Sequence, residues 1–236
     1  MKDRRHIRIL AGVDELLALR KNFYDIVWPI YKINSLSMNL KSILDSINAY
    51  VVFTSKASFY ALKKDSPHDL FSLFKPENKI KIASVGEYTK AFIKESFKDS
   101  NILTPKERGL QSFFKDYYSE QNMFFILTGK NSKSLGDFNK KKNVKIIDVY
   151  ELIESGVNFK ILLESQGISY SHDIDYSFIC KSKDILVQVL KSLSQYLKCS
   201  IKCFPSNIHF ELWEKSAKNY AESIALKFRH HRESFY

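Results

Sequence analysis

Short apolar runs alternate with segments of helical spacing along most of the chain. Each run of β-branched, aliphatic or aromatic residues is followed by a polar turn, and then by apolar positions three or four residues apart. This alternation is typical of parallel α/β units, in which buried strands are connected by helices that cover the faces of the sheet. We therefore expect an α/β fold rather than a helical bundle or a β-sandwich.

The apolar runs predict nine strands. They are Ile7–Leu10, Asp25–Trp28, Tyr50–Thr54, Lys81–Val85, Asn101–Leu103, Met123–Leu127, Val144–Val149, Asp175–Cys180 and Ser200–Phe204. The helical spacing predicts amphipathic helices between them. They are Leu36–Asn48 with Ser35 or Ser37 as its cap, a helix from Ser55 to Leu62, Tyr88–Phe97, Gly109–Tyr118 and Ser182–Leu197.

Two stretches are echoed weakly in the second half of the chain. Tyr50–Leu62 resembles Tyr176–Ser182 with the helix that follows it, and Lys79–Gly86 resembles Cys199–Ser206. The two echoes occur in the same order along the sequence, as expected for an internal repeat. They predict two similar α/β halves.

The charge of the chain narrows the expected class of partner. With 236 residues, of which 44% are hydrophobic, the chain is long enough for one large domain or two small ones. Its formal net charge of +11 and its pI near 9.4 favour polyanions, a class that includes nucleic acid, anionic membranes and small polycarboxylates. Charge alone does not choose among these, and we expect most lysines on solvated faces.

Several classes of protein are not expected. The apolar runs are far shorter than the roughly 20 residues that cross a bilayer, and no signal peptide is recognisable, so we expect a cytoplasmic protein without membrane contact. Cys180, Cys199 and Cys203 are too few for a disulfide scaffold. No further ligands accompany Cys199 and Cys203, so no metal site is expected.

Small and hydroxyl-bearing residues follow several predicted strands. Thr54 and Ser55 end one strand, Gly86 follows a second, and Thr128-Gly129-Lys130 ends a third. In open parallel sheets, ligands bind at the carboxyl ends of the strands, where helix N termini offer N–H groups and a positive dipole. The sequence therefore predicts an anion site rich in backbone donors, although helix capping explains Ser55 or Ser182 taken alone.

Neither nucleophilic catalysis nor nucleic-acid binding has a recognisable motif. Cys180 and Cys203 fall in predicted apolar strands, where a cysteine is usually a small core residue. The histidines are scattered, without H-E-x-x-H or G-x-S-x-G spacing. Lys140–Lys142 is basic, but the aromatic residues are spaced for core packing, so nucleic acid is not the expected partner.

Four short motifs occur in a characteristic order. They are Val27-Trp28-Pro29-Ile30-Tyr31-Lys32-Ile33, Val52-Phe53-Thr54-Ser55, Ala83-Ser84-Val85-Gly86-Glu87-Tyr88-Thr89, and Phe124 to Gly129 followed by Val149-Tyr150-Glu151. In this order the chain resembles uroporphyrinogen-III synthases from about Ile7 to Phe204. It departs from their pattern at Ala11-Gly12-Val13, at Thr128, at Ile179–Ser182 and at Phe204–Ile208.

The resemblance implies a particular architecture. Two similar α/β domains, each a parallel sheet flanked by helices, are joined by two crossover segments around a cleft. One domain is discontinuous and consists of residues 1–30 and 153–236. The other, residues 33–150, is inserted into it.

The resemblance also implies an activity. Enzymes of this family are lyases of haem biosynthesis that need no cofactor, and we expect a monomer. They cyclise hydroxymethylbilane, a polycarboxylate, to uroporphyrinogen III with loss of water and inversion of ring D. Tyr150 matches the one side chain with a proton role, as a general acid for the leaving hydroxyl. An equally weighted interpretation makes Tyr150 a hinge aromatic that packs between the domains.

The remaining motif positions are implied to bind the substrate, chiefly through backbone N–H groups. They are Thr54, Ser55, Gly86, Thr89 and Gly129, with Lys56 and Ser182 as further members. The alternative function is a basic two-domain binding protein for nucleic acid or another polyanion, or a homologue with impaired catalysis. Product analysis with hydroxymethylbilane separates these hypotheses.

Overall fold

A computed structural model describes residues 4–17, 23–75, 77, 79–130, 135 and 138–230. Within these residues the strands are β1 (Arg5–Val13), β2 (Ile26–Ser35), β3 (Ala49–Phe53), β4 (Lys81–Ser84), β5 (Ile102–Leu103), β6 (Met123–Gly129), β7 (Val144–Glu154), β8 (Ile174–Cys180), β9 (Ile208–Leu212) and β10 (Arg229–His230). The helices are α1 (Asp14–Leu17), α2 (Lys41–Leu44), α3 (Lys56–Asp65), α4 (Pro67–Leu73), α5 (Glu87–Lys94), α6 (Leu110–Tyr117), α7 (Phe159–Ser165), α8 (Lys183–Leu197) and α9 (Lys215–Ser223).

The chain divides into two compact units. Unit 1 comprises residues 1–32 and 153–236, and unit 2 comprises residues 33–152. The chain therefore leaves unit 1 along β2 and returns to it at the end of β7. Among the described residues, no helix is both long and apolar enough to cross a membrane.

Unit 1 is a parallel sheet with the strand order β2-β1-β8-β9-β10. Its core is aromatic, because Trp28 of β2 packs against Phe178 of β8 with ring centroids 6.0 Å apart, and against Phe159 of α7 at 5.7 Å. The indole N–H of Trp28 donates to the Val157 carbonyl at 2.7 Å, so this buried donor is satisfied. The helix α8 covers this core with an apolar face that includes Leu186.

Unit 2 is a parallel sheet with the strand order β7-β6-β3-β4-β5. Every residue of β3 is buried, because the side chains of β3 alternate between two apolar layers. Phe53 packs in one layer with Phe59 of α3, and Val52 lies in the other layer with Phe113 of α6. Burial on both faces explains why the β3 sequence is a continuous apolar run rather than an alternating one.

Both units carry a β-bulge at the same place in their strand order. In unit 2, Gly129 of β6 pairs with Tyr150 of β7, and the register shifts by one residue just before this pair. In unit 1, Val13 of β1 pairs with Tyr31 of β2 after the same shift. A β-bulge changes the direction of the side chain that follows it. In each unit this side chain is a tyrosine, Tyr150 in unit 2 and Tyr31 in unit 1.

The predicted α/β class, with parallel strands and flanking helices, is confirmed. One predicted strand is wrong, however, because Ile201–Cys203 forms a 3-10 turn and the strand lies further on, at β9. Pro205 has no N–H to give to a ladder and ends the turn. The echo of Lys79–Gly86 in Cys199–Ser206 is therefore also wrong, since β9 takes the place in unit 1 that β4 takes in unit 2.

The predicted helix Leu36–Asn48 is also wrong in most of its length. Only α2 is helical, and the backbone N–H of Leu36 instead donates to the Val149 carbonyl at 3.0 Å. Neither predicted serine is a cap, because Leu40 occupies the N-cap position. Ile47, placed by the spacing on the buried face, is 73% exposed. The hydrogen bond to β7 takes up Leu36, the first residue of the predicted helix, and helical spacing alone does not reveal that contact.

Candidate functional site

The strand ends of unit 2 lie at one edge of its sheet. Phe53, the last residue of β3, pairs with Ser84 of β4 on one side and with Leu127 of β6 on the other. The segments that follow these strands therefore emerge side by side, at the edge where α/β proteins bind ligands. We call this edge, with the residues described below, the strand-end site.

Ser55 begins the helix that follows β3. Its Oγ accepts a hydrogen bond from the Ser58 N–H at 3.1 Å, and the Ser55 N–H donates to Ser58 Oγ at 3.2 Å. This reciprocal pair is a capping box, with serine in place of the usual Glu or Gln at its third position. The predicted capping role of Ser55 is thus confirmed, and capping leaves part of its hydroxyl group unused.

Tyr150 reaches the strand-end site from β7. Its phenolic oxygen lies 3.3 Å from Ser55 Oγ. The ring lies so close to Gly129 that a Cβ on this residue would stand 2.7 Å from Tyr150 Cζ. A glycine is therefore needed for the ring to rest on the end of β6. The structure brings together three sequence-predicted site residues, namely Ser55, Gly129 and Tyr150.

Polar contacts fix the backbone on either side of Tyr150. Its carbonyl accepts from the Lys130 N–H at 2.8 Å. The next residue, Glu151, accepts from Asn34 Nδ2 at 2.8 Å and from Lys130 Nζ at 3.2 Å. The hydrogen bond from Asn34, followed by that from Lys130, lowers the pKa of the Glu151 carboxyl below its ordinary value. Glu151 is therefore an ionised partner that holds Lys130 beside the site.

Several backbone donors predicted to bind the substrate are already used within the chain. The N–H and hydroxyl groups of Thr54 both donate to the Leu127 carbonyl, at 3.2 Å and 2.9 Å. The N–H of Ser55 donates to Ser58, and the N–H of buried Thr89 donates to the Gly86 carbonyl at 3.1 Å. Thr54 and Thr89 therefore shape the strand-end site rather than supply N–H donors to it.

Sequence reasoning missed Arg108 and Gly109. A Cβ on Gly86 would stand 3.2 Å from Arg108 Cγ, so the arginine side chain lies against the end of β4. Gly109 begins α6 with a φ of +124°, a conformation that favours glycine, and its N–H donates to the Val85 carbonyl at 2.9 Å. The available signal was a second glycine just before an amphipathic helix, as at Gly86.

Two further predicted site residues have different surroundings. Lys56, the first residue of α3, places its Nζ 5.4 Å from the centre of the Phe92 ring in a cation–π contact. Ser182 belongs to unit 1, where its Oγ caps α8 by accepting from the Ile185 N–H at 3.5 Å. The structure thus assigns Ser182 a capping role.

Two kinds of chemistry have no support among the described residues. Burial raises the pKa of the Cys180 thiol well above its ordinary value, so this residue is a core side chain rather than a thiolate nucleophile. In the part of the chain that the structure describes, no cluster of His, Cys, Asp or Glu side chains has the size of a metal site. A cavity of about 720 Å³ in unit 1, lined in part by Phe204 and Phe210, includes none of the predicted site residues.

Solved structures of one kind of enzyme resemble this chain. The uroporphyrinogen-III synthetase of Helicobacter pylori 26695 is 14% identical, with a TM-score of 0.65, over 97% of this chain and 94% of that chain. A mutant uroporphyrinogen III synthase of Thermus thermophilus is 9% identical, with a TM-score of 0.52, over 96% and 93% of the two chains. No protein-family model and no curated protein sequence matches.

The chain has the uroporphyrinogen-III synthase fold. The likeness extends over nearly the whole of both chains, so it includes both units rather than one α/β half. Within this uroporphyrinogen-III synthase fold, the strand-end site of unit 2 combines a phenol, a capped helix N terminus and nearby cations. That combination suits an anionic substrate and a proton transfer.

Proposed function

We propose that this protein is a uroporphyrinogen-III synthase, which cyclises hydroxymethylbilane with loss of water and inversion of ring D. The observation that carries the proposal is the Tyr150 phenol, which rests on Gly129 and lies 3.3 Å from Ser55 Oγ. The fold shared with solved synthases supports it further. The family resemblance points to this tyrosine from the sequence, and its contacts with Gly129 and Ser55 support that choice.

The charge around the strand-end site fits a polycarboxylate substrate. Lys56 follows β3 and Arg108 lies against Gly86, so two cations stand at neighbouring strand ends, and Lys130, which follows β6, is paired with Glu151. The α3 N terminus adds its positive dipole. We assign Thr54, Ser55, Lys56, Gly86, Thr89 and Gly129 to the binding wall, and Arg108 joins them as a carboxylate ligand. In unit 1, Ser182 lies at the position equivalent to Ser55, and we assign it to substrate binding as well.

Tyr150 acts as the general acid in the proposed reaction. Its O–H proton passes to the hydroxyl group of the substrate, and the C–O bond breaks with both electrons leaving on the water formed. The substrate is left as a resonance-stabilised cation, and Tyr150 as a phenolate. When the ring closes, the proton lost from the attacking pyrrole carbon restores the phenol, so no cofactor is consumed.

The decisive experiment is product analysis with freshly prepared hydroxymethylbilane. Spontaneous closure gives the type I isomer, whereas the proposed enzyme gives type III. We expect Tyr150→Phe to lower the rate of type III formation by roughly tenfold or more, because a phenyl ring has no proton to donate. The matched control is Tyr31→Phe, which removes the hydroxyl from the equivalent bulge tyrosine of unit 1.

Three outcomes decide the proposal. Type III product from the natural protein, with a loss specific to Tyr150→Phe, supports it. Type I product alone overturns the proposed function. Equal losses in the two tyrosine variants, or full activity of Tyr150→Phe, would remove Tyr150 from the proton transfer.

A basic binding protein for polyanions is the second candidate function. The observation that favours it is the lysine-rich segment before β7, where Lys141 Nζ lies 3.8 Å from the centre of the half-buried Tyr118 ring. Such cation–aromatic surfaces bind nucleic-acid backbones and bases. Salt-sensitive binding to RNA or DNA, together with type I product alone, would favour this function.

A further inference from the structure

The hydroxyl group of Ser55 has one proton that the helix cap does not use. Its oxygen accepts from the Ser58 N–H, and the Ser55 carbonyl accepts from Ser58 Oγ at 2.7 Å. A hydroxyl group has one proton and two lone pairs, so capping consumes only a lone pair. The phenolic oxygen of Tyr150, at 3.3 Å, is the acceptor that the structure places beside this proton.

The cap also strengthens Ser55 as a donor. An oxygen that accepts a hydrogen bond becomes a better donor through its own proton, and the positive end of the α3 dipole adds to this polarisation. If Tyr150 donated instead, its only proton would point at Ser55 and away from a substrate. The opposite direction, from Ser55 to Tyr150, leaves the phenolic proton free.

We propose that Ser55 is a positioning residue that donates its hydroxyl proton to Tyr150 and so directs the phenolic proton outward to the substrate. This inference rests on the proposed function for its catalytic consequence, but the hydrogen bond itself can be tested without it. As Tyr150 gives up its proton, the Ser55 donor stays in place and stabilises the phenolate oxygen. The capping box holds the donor in place before the substrate arrives.

The same positions of unit 1 do not form this pair. Ser182 and Ser55 are equivalent, because each lies two residues beyond the last residue of its strand. Tyr31 is equivalent to Tyr150, yet it forms its side-chain hydrogen bond with Gln188, and burial raises its pKa. Val13 stands where unit 2 has Gly129. The contact between Ser55 and Tyr150 is therefore a property of these residues and not of the fold alone.

The test uses two substitutions at Ser55. Ser55→Gly removes the hydroxyl while keeping an acceptable N-cap residue, so α3 loses little stability. Ser55→Thr keeps both the cap and the donor. We expect Ser55→Gly to lower kcat for type III formation by roughly threefold to tenfold, the effect of one lost hydrogen bond, and Ser55→Thr to recover most of the loss.

A double-substitution cycle separates positioning from a general structural effect. In the Tyr150→Phe background there is no phenol to position, so Ser55→Gly should change kcat by less than about twofold. An undiminished effect of Ser55→Gly in that background would overturn the proposal. A rise in KM with unchanged kcat would also overturn it, because that result assigns Ser55 to substrate binding alone.

A spectroscopic measurement tests the hydrogen bond independently of activity. The protein is labelled with ¹³C at Cζ of its 13 tyrosines, and the Tyr150 resonance is the one that Tyr150→Phe removes. We expect that resonance to move in Ser55→Gly and to return towards its original position in Ser55→Thr. If the resonance does not move in Ser55→Gly, the inference is overturned. If the natural protein makes only type I product, the proposed function is overturned, but the resonance still tests the hydrogen bond.

Discussion

Gly129 matters for the space that it leaves rather than for its backbone conformation. The Tyr150 ring occupies the position of the missing side chain, with the phenolic oxygen 3.0 Å and Cζ 2.7 Å from where a Cβ would stand. Tyr150 is only partly buried, so its ring has room to move aside if that space is filled. The distance from Tyr150 to Ser55 thus depends on a residue that takes no part in the helix cap.

We expect Gly129→Ala to lower type III formation by roughly tenfold or more, because the methyl group displaces the phenol from Ser55. The free energy of unfolding should fall by only about 1 kcal/mol, since a partly exposed ring can rotate away. Activity and urea-induced unfolding of the purified variants provide the measurements.

The control for this steric effect is Tyr150→Ala, which removes the ring. In that background Gly129→Ala should cost much less stability, because the three atoms nearest to the added methyl group all belong to the Tyr150 ring. A similar loss of stability with and without the ring would show that the methyl group conflicts with something other than Tyr150.

At the scale of single residues, the sequence identified some site residues and missed others, and the reasons are physical. Ser55 was predicted both as a cap and as a site residue, because hydroxyl residues between a strand and a helix serve both purposes. Arg108 precedes α6, far along the chain from the end of β4, so only the fold brings its side chain against Gly86. The use of the Thr54 and Thr89 N–H groups within the chain likewise depends on partners that a strand prediction does not reveal.

At the scale of elements, local apolar runs predicted the strands well where the run was buried on both faces. They failed at β9, whose Ile208, Phe210 and Leu212 alternate with partly exposed residues. Period-two alternation was the available signal, and an equally apolar segment before Pro205 concealed it. The helix over Leu36–Asn48 is mostly absent despite a good helical pattern, because only α2 forms and Leu36 is hydrogen-bonded to β7 instead.

Helix caps allow a quantitative comparison between two helices of unit 1. Asn158 caps α7 by accepting from the Ile161 N–H at 3.0 Å, whereas Ser182 caps α8 across 3.5 Å. We expect Asn158→Ala to cost about 1 kcal/mol of unfolding free energy and Ser182→Ala about 0.5 kcal/mol, because the longer bond is weaker. Chemical denaturation of the two variants measures both values, and the reverse order would contradict the assignment of their cap strengths.

At the scale of the whole molecule, the excess of basic side chains produces a positive electrostatic field. The chain has 37 Lys and Arg residues against 26 Asp and Glu residues. Such a field raises the local concentration of any polyanion, whereas a specific site is needed to select one. The proposed function therefore predicts that charges at the strand-end site matter more than charges elsewhere.

We expect the KM for hydroxymethylbilane to rise by roughly threefold or more between about 50 mM and 500 mM salt, because mobile ions screen the attraction to its carboxylates. At low salt, Arg108→Gln should raise KM severalfold, whereas the matched charge removal Lys142→Gln, at the amino end of β7, should leave it nearly unchanged. Equal effects of the two substitutions would indicate a general field without a site at Gly86.

The repeated bulge has a consequence for how this molecule can be studied. Because β2 and β7 carry the same register shift before Tyr31 and Tyr150, the strand-end positions of one unit have counterparts in the other. The chain thus supplies its own reference, because each strand-end residue of unit 2 can be compared with the residue at the same position of unit 1. By that comparison Tyr31, which pairs with Val13 and forms a hydrogen bond with Gln188, is a built-in control for a bulge tyrosine without a glycine or a helix-cap serine beside it.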